Sequence, residues 1–454
     1  MKIANLPASD CAYELFPKVA KQGEETFFTA RGLGVETTLQ PNTAYCLRVI
    51  GQEENNSSLL QDFSTWQKYD GIFAETDEQG VLHFSYTFNR EQVYTLRLAV
   101  KEDEEWTAVY DFAVFCAEED LFLRTPFKGN THCHCCDSVD GHEDPFFAAC
   151  MYRKAGFDYL AITDHHLIDG SVFAKQQAEK VPSGLSLFYG EEVHVPNAYI
   201  HAVNVGARFE NGVGLNTYFN LHEEECTAEV AAIAEKYKNT LPENINATDF
   251  AWRKWIADKI HGQGGVAVLA HPFWVWEAHN TRDDMFRYLS EEKIYDAAEI
   301  FHGMEKNCRD AHGQFAFWND MRTEGIFISP VGVDDAHRRH FRWDYESSFN
   351  EVYTVLFAKE NTLQGFAEAL QNGYSAAVEC YENAPEHIAA TYRLTKYTLF
   401  LLDHYFPFHD ELCFAESLCM IDGYFGDADA LQLLPKMTER VNRFTDRFFG
   451  RKQV

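Results

Sequence analysis

A chain of 454 residues with 46% hydrophobic and 15% aromatic content is long for one domain and comfortable for two or three, each able to bury a core. Its formal charge of −31 opposes binding to anionic lipid or to long nucleic acid, both of which are held by lysine and arginine; a small anionic substrate drawn in by bound cations stays compatible with it. The opening "MKIANLPASDCAYELF" lacks the apolar stretch of a secretory signal, no apolar run of the length of a membrane span occurs, and the 12 cysteines are scattered, so a soluble cytoplasmic protein with reduced thiols is expected.

Residues 1–122 read as β structure. "VETTLQPNTAYCLRVI" alternates at Val35, Thr37 and Leu39, turns at Pro-Asn, and alternates again at Tyr45, Leu47 and Val49. "YTLRLAVKEDEEWTAVYDFAVF" places Tyr94, Leu96, Leu98 and Val100 on one face and, after a charged loop, Trp106, Ala108, Tyr110, Phe112 and Val114 on the returning strand. A small β-sandwich is expected.

From 123 to 384 the rhythm changes. "FDYLAIT", "LSLFYG", "HAVNVG", "GVAVLA", "DAAEIF", "IFISPVGV" and "VYTVLF" read as buried strands; "PFFAACMYRKAG" and "TLQGFAEALQNG" read as helices closed by glycine. This alternation implies an α/β fold, either a parallel sheet or an (α/β) barrel. Residues 385–454 read as a helical extension, with Ile388, Tyr392, Thr395, Leu399, Leu402 and Phe406 at spacings of three and four as the expected core-facing stripe.

Histidine placement is the strongest signal. Of 19 histidines, all but His83, His387, His404 and His409 fall between His132 and His340. "NTHCH" follows a short apolar approach. "FDYLAITDHH" ends a strand in Asp164, His165 and His166; "LSLFYGEEVH" ends one in Glu191, Glu192 and His194; "GVAVLAHP" ends one in His271; "FISPVGVDDAH" ends one in Asp334, Asp335 and His337. In barrel enzymes the C-terminal ends of the strands build the active site. In extended backbone residues i and i+2 share a side, so His132 and His134 can reach one cation while Cys133 points away, and Asp335 with His337 can do the same. Imidazole mixed with carboxylate suits Zn, Mn or Fe, and so many ligands exceed what one ion takes, so more than one is expected, with a carboxylate such as Glu192 bridging.

The ordered set "THCH…DG", "AITDHH", "GEEVHV…IHAVNVG", "VLAHP" and "GVDDAH" resembles the PHP (polymerase and histidinol phosphatase) family over roughly residues 127–380. The resemblance implies a distorted TIM-like (βα)7 barrel with two or three divalent ions (Mn, Zn or Fe). As ligands it implies His132, His134, Asp140, His165, Glu192, His201, His271, Asp335 and His337. One extra residue separates His134 from Asp140, which leaves Asp137 as a competitor; Asp334 competes with Asp335, whose spacing to His337 favours it.

The activity implied is phosphoester hydrolysis of a small phosphorylated metabolite or nucleotide, by attack of hydroxide formed on the ions. Asp164 and His166 are the candidates for proton transfer, and His194, His302 and Arg338 for contact with the substrate. Cys135 and Cys136 read as structural, since nothing identifies a base for a thiolate. The aromatics Phe273, Trp274 and Trp276 either wall the pocket or pack beneath a cap. Hydrolysis of an ester or amide, and a non-catalytic module that retains its metals, are the alternatives. Long nucleic acid and membrane are not expected partners, and a homo-oligomer is compatible with the chain.

Overall fold

In a computed structural model, residues 12–34, 36–53, 71–102, 105–196, 199–275, 278–303, 309–337, 350–381 and 384–451 are described. The chain is mixed α/β and divides into two compact units: residues 1–124 with 396–412 and 439–454, and residues 125–395 with 413–438. Among the described residues no helix is long and apolar enough to cross a membrane.

The first unit contains β1 (Tyr13–Phe16), β2 (Val19–Lys21), β3 (Glu25–Gly32), β4 (Ala44–Gly51), β5 (Ile72–Glu75), β6 (Leu82–Thr87), β7 (Gln92–Glu102) and β8 (Glu105–Ala117). They form a three-stranded sheet, β1-β3-β6, and a five-stranded sheet, β2-β8-β7-β4-β5. Alternation in the sequence becomes one shared core: Phe28, Leu82 and Phe84 of the smaller sheet pack with Leu47, Leu96, Leu98, Phe112 and Val114 of the larger. The expected strand at Thr37 and Leu39 is absent. That segment is a turn and coil, although Leu39 is buried, and Val35 lies outside the described residues. A Pro-Asn pair and three threonines favour turns over a ladder there, and Thr37 and Thr38 donate their hydroxyls back to the Gly34 carbonyl.

The second unit contains β9 (Thr125–Asn130), β10 (Tyr159–Ala161), β11 (Ser186–Phe188), β12 (Gly190–Val193), β13 (Ala202–Val205), β14 (Val266–Leu269), β15 (Ala297–His302), β16 (Ser329–Val333), β17 (Val352–Ala358), β18 (Ser375–Glu379) and β19 (His387–Ala389). One curved sheet runs β11-β10-β9-β17-β18-β19 and another β12-β13-β14-β15-β16. Single bridges join them where the histidines lie: His165 with Glu192, and Cys133 with Ala336. Between the sheets sit small and branched side chains, among them Ala161, Val203, Val268, Ala297, Val331 and Leu356.

The pairing is not wholly parallel. β9-β10-β11 and β14-β15-β16 are parallel, but β13 runs antiparallel to both β12 and β14, and β17 antiparallel to β9 and β18. Only residues 194–201 separate β12 from β13, too few for the crossover that a parallel neighbour requires. The run "LSLFYGEEVH" is two strands in two sheets, broken at Tyr189; the second begins at Gly190, where a Cβ would lie 2.4 Å from the Ile162 carbonyl oxygen. Helices Leu215–Leu221, Glu223–Tyr237 and Ala247–Gly262 follow β13 and cover the sheet's outer face with Phe219, Phe250, Trp255 and Ile256.

The terminal stripe is corrected in part, Phe406 being buried as expected. Tyr392 is 70% and Leu399 43% exposed, whereas Leu394, Tyr397, Leu401 and Tyr405 are buried. The buried face of helix Tyr392–His404 is thus rotated from the expected one, and Ile388 lies in β19.

At the end of the second unit opposite the histidines, Asp296 accepts from His261 Nε2 at 2.8 Å and from the Ala267 amide at 2.9 Å. The hydrogen bond to Asp296 raises the His261 pKa above its ordinary 6.5. A raised folded-state pKa contributes stability that is complete below the unfolded value and lost as pH rises through the folded one. His261→Gln is therefore expected to lower the urea midpoint more at pH 5.5 than at pH 9; an equal loss at both would show that the charge contributes nothing.

Candidate metal centre

Every histidine of the cluster reaches one rim of the second unit. His132 and His134 follow β9 in extended backbone with ring centroids 5.3 Å apart, while Cys133 is buried away from them and its amide donates to Thr163 Oγ1. His165 follows β10, Glu192 lies in β12 with His194 just beyond, His271 follows β14, and Asp335 and His337 follow β16. His201 precedes its strand, yet it reaches the same rim because antiparallel β13 pairs Ala202 with both Val193 and Leu269.

Glu192 is the hub. Its carboxylate lies 2.6 Å from His165 Nδ1, 2.8 Å from His201 Nδ1, 3.2 Å from His194 Nε2, 3.3 Å from His271 Nε2, 3.4 Å from His132 Nε2 and 3.7 Å from His134 Nε2. Asp335 Oδ1 stands 3.0 Å from His134 Nε2 and 3.3 Å from His132 Nε2. Asp140 Oδ2 stands 3.4 Å from His165 Nε2 and 3.5 Å from His337 Nε2.

The two competing aspartates lie elsewhere. Asp137 neighbours Asp164, Asp169 and Asp144, and its carboxyl is raised by burial and by those charges. Asp334 accepts from Asn130 Nδ2 at 2.7 Å and Tyr152 Oη at 2.8 Å, bracing β9 against helix Pro145–Lys154. Asp335 holds φ +46° and His166 φ +64°, left-handed conformations that cost roughly 1–3 kcal/mol for such residues and gather at functional sites. The Asp335 turn is held by its amide donating to the His132 carbonyl at 3.0 Å.

Burial opposes charge on Glu192, but His194, His132, His201 and His165 reverse that and hold its carboxyl well below the usual range. The same opposition, resolved by His132, His134 and His337, lowers Asp335. Burial takes His134 down to about 3 and His194 to about 4. In His165 the pull of burial is exceeded by Glu192 and Asp140, which lift it to about 10.

The remaining expected residues are placed differently. Asp164 does not touch a cluster histidine: its carboxylate accepts from the Cys135 amide at 2.7 Å and takes the Cys135 thiol on its other oxygen, fixing the 135–138 loop. His166 is exposed, with its ring 4.6 Å from that of His194. His194 is drawn into the cluster itself. His302 is buried behind His271, ring centroids 6.0 Å apart. Glu191 points away and accepts from the Leu215 and Asn216 amides at the start of helix Leu215–Leu221, where a carboxylate complements the helix dipole. Arg338 and Trp276 lie outside the described residues.

Two contributors were not anticipated. Ser138 Oγ is 3.0 Å from His134 Nδ1 and accepts from the His165 amide at 2.9 Å. Glu299 Oε1 is 2.7 Å from His132 Nδ1. Its signal in the sequence is a carboxylate inside the apolar strand "DAAEIF".

A cavity of about 420 Å³ opens over the cluster, lined by Asp140, His165, Glu192, His194, Tyr199, His201, His271, Trp274, Asp335 and His337. No lysine or arginine is among these lining residues. Of the aromatics, Trp274 walls the cavity while Phe273 is buried, stacked on His279 and against Phe317. His132 Nε2 and Glu192 Oε2 are buried and, although they lie 3.4 Å apart and His165 Nδ1 stands 2.6 Å from Oε2, neither makes a well-directed hydrogen bond. Leaving such atoms unsatisfied costs about 1–3 kcal/mol each, a penalty a cation removes by taking their lone pairs. Overlapping ligand triplets, including His132-His134-Asp335, His134-His165-His337 and His132-Glu192-His271, lie within ligating reach of common points. The donor set fits divalent metal.

No protein-family model matches the chain, and no curated protein matches it. Solved structures that resemble it include a two-domain protein from Bacteroides vulgatus containing a predicted PHP-like metal-dependent phosphoesterase (19% identity, TM-score 0.37, 56% of this chain and 65% of that one). A candidate metal-dependent phosphoesterase from Bifidobacterium adolescentis matches at 16% identity and TM-score 0.33, over 49% and 93% of the two chains. An amidohydrolase from Chromobacterium violaceum, with bound sulfate and no metal, matches at 15% and 0.30, over 48% and 89%. The chain thus spans about two thirds of the first of these. What the cluster can do follows from its own geometry.

Proposed function

We propose that this protein is a divalent-metal-dependent phosphoesterase of the PHP type, acting on a small phosphorylated metabolite or nucleotide. The observation that carries the proposal is the single buried carboxylate of Glu192 within 3.7 Å of six imidazole nitrogens. A core packed for stability alone has no use for so many buried polar groups converging on one point. In this reading residues 123–384 are the hydrolase, its strands a distorted seven-stranded barrel, flanked in sequence by a β-sandwich over residues 1–122 and a helical extension over 385–454.

His132, His134, Asp140, His165, Glu192, His201, His271, Asp335 and His337 would hold two or three ions of Mn, Zn or Fe, with Glu192 the candidate for a shared ligand and His194 beside it. Bound there, divalent ions would supply Lewis acidity toward water and positive charge for the phosphoryl and leaving oxygens. The chain's own part is to fix ligand directions and to bound the substrate. Asp164 acts through the 135–138 loop, and His166 stands at the rim beside His194. Tyr199 and Trp274 give the cavity an apolar wall for the organic part of the substrate. Among the described residues the lining offers an anion no lysine or arginine, so there the held cations would be the main attraction for phosphate, with Arg338 kept as the candidate for a further contact.

The test is phosphate release by manganese-supplemented protein over a panel of sugar phosphates, amino-alcohol phosphates, nucleotides and nucleoside bisphosphates, with and without chelator. Release should require metal and fall by roughly 10³-fold in Asp335→Ala, the equivalent of several kcal/mol of lost transition-state stabilisation. Release indifferent to chelator would overturn the proposal. Silence on phosphates, with metal-dependent cleavage of an ester or amide, would replace it by that hydrolysis.

A further inference from the structure

The two strand ends that carry His132 and His271 share one carboxylate. Glu299, fully buried in β15, receives His132 Nδ1 on Oε1 at 2.7 Å and the backbone amide of His271 on Oε2 at 2.8 Å. A carboxylate only accepts, so His132 must carry its proton on Nδ1, and the lone pair of Nε2 then faces Glu192 and Asp335. The amide bond to Oε2 sets where β14 releases the chain into His271. Glu299 is itself fixed from behind: Gln314 Nε2 donates to the backbone carbonyls of Glu299 and Ile300, while Gln314 Oε1 accepts from the Phe273 amide at 2.9 Å. Buried Gln314 thereby ties β15 to the segment that follows His271.

We infer that Glu299 is a positioning residue for the metal centre, a single carboxylate that selects the ligating tautomer of His132 and sets the position of His271 at once. Asp164, the sequence's candidate for proton transfer beside His165, has its carboxylate taken up by the 135–138 loop. The inference rests on the reading of the cluster as a metal site. Its chemistry is sharpest in Glu299→Gln, which keeps the shape and replaces one acceptor by a donor. If the amide NH2 faces His132, the His132 proton moves to Nε2 and closes the lone pair that should meet the ion. If the amide turns over, NH2 confronts the His271 N–H and the strand end is displaced.

Titration of the full-length, metal-stripped protein with Co²⁺, followed by its visible absorption, tests this without recourse to turnover. Glu299→Gln is expected to weaken Co²⁺ binding by about 10–100-fold, the range typical for loss of a residue that orients a ligand, and to change the absorption band, with unaltered far-UV circular dichroism. Wild-type affinity and band shape in Glu299→Gln would overturn the inference. Absence of Co²⁺ binding by the wild type would instead overturn the metal-site reading beneath it. If Glu299→Gln does not fold, Glu299→Asp decides: its carboxylate is too short to reach both partners, so weakened binding supports the inference and undiminished binding rejects it.

Discussion

Replacing Glu192 by glutamine is expected to leave the fold in place and to lower metal-dependent turnover by roughly 10³-fold or more, since several kcal/mol of charge stabilisation depend on the ions it holds. The substitution conserves volume, and the strands around it are paired through their backbones and through cores distinct from the cluster. What changes is charge. Glutamine offers one neutral oxygen and one donor where six histidines converge on an anion, so the ions lose their common ligand. Elemental analysis of the dialysed variant should find less bound metal than in wild type. Full turnover with full metal content in Glu192→Gln would mean that the hub is not a bridge.

Arg153→Met carries the largest expected effect on stability. Arg153 is buried in the second unit, its Nε 2.6 Å from Glu416 Oε2 and its Nη1 2.9 Å from both Asp158 Oδ1 and the Phe157 carbonyl. Glu416 also accepts from the Gly184 amide at 2.9 Å, and Asp158 from the Lys128 amide at 3.0 Å. Methionine fills the space but strands two buried carboxylates, and breaking a buried pair from one side costs about 3–5 kcal/mol. Urea unfolding should show that loss, and Arg153→Met/Glu416→Gln should recover part of it because one uncompensated charge is gone. A single variant as stable as the wild type would show that water already reaches these carboxylates.

The site was legible to the degree that its chemistry is local in sequence. His132 and His134, or Asp335 and His337, announce themselves by a spacing of two, which extended backbone converts into a shared direction. Asp334 and Asp335 are adjacent and chemically identical; the side chain's direction depends on the left-handed turn at Asp335, which no residue type there signals. Glu299 was invisible because its partners His132 and His271 are remote in the chain. A lone carboxylate in an apolar strand shows that something must satisfy it, not what.

The fold was legible where apolar runs stand between turn signals, as in β14 and β16. Strand direction was not, since β13, antiparallel to both its neighbours, reads in sequence like the parallel strands β14 to β16 and only the short 194–201 connection distinguishes it. The helix at Tyr392–His404 shows the limit of periodicity. Two apolar faces were available, one through Tyr392 and Leu399 and one through Leu394, Tyr397 and Leu401, and packing selected the second.

The central claim is that the rim cluster holds divalent metal around Glu192. The most direct measurement is an anomalous difference map from crystals grown with manganese. The account predicts more than one peak at coordination distance, roughly 2.0–2.3 Å, from the Glu192 carboxylate and from His132, His134, His165 or His271 nitrogens. Well-diffracting crystals with no peak at that rim, or with manganese bound only elsewhere, would contradict it.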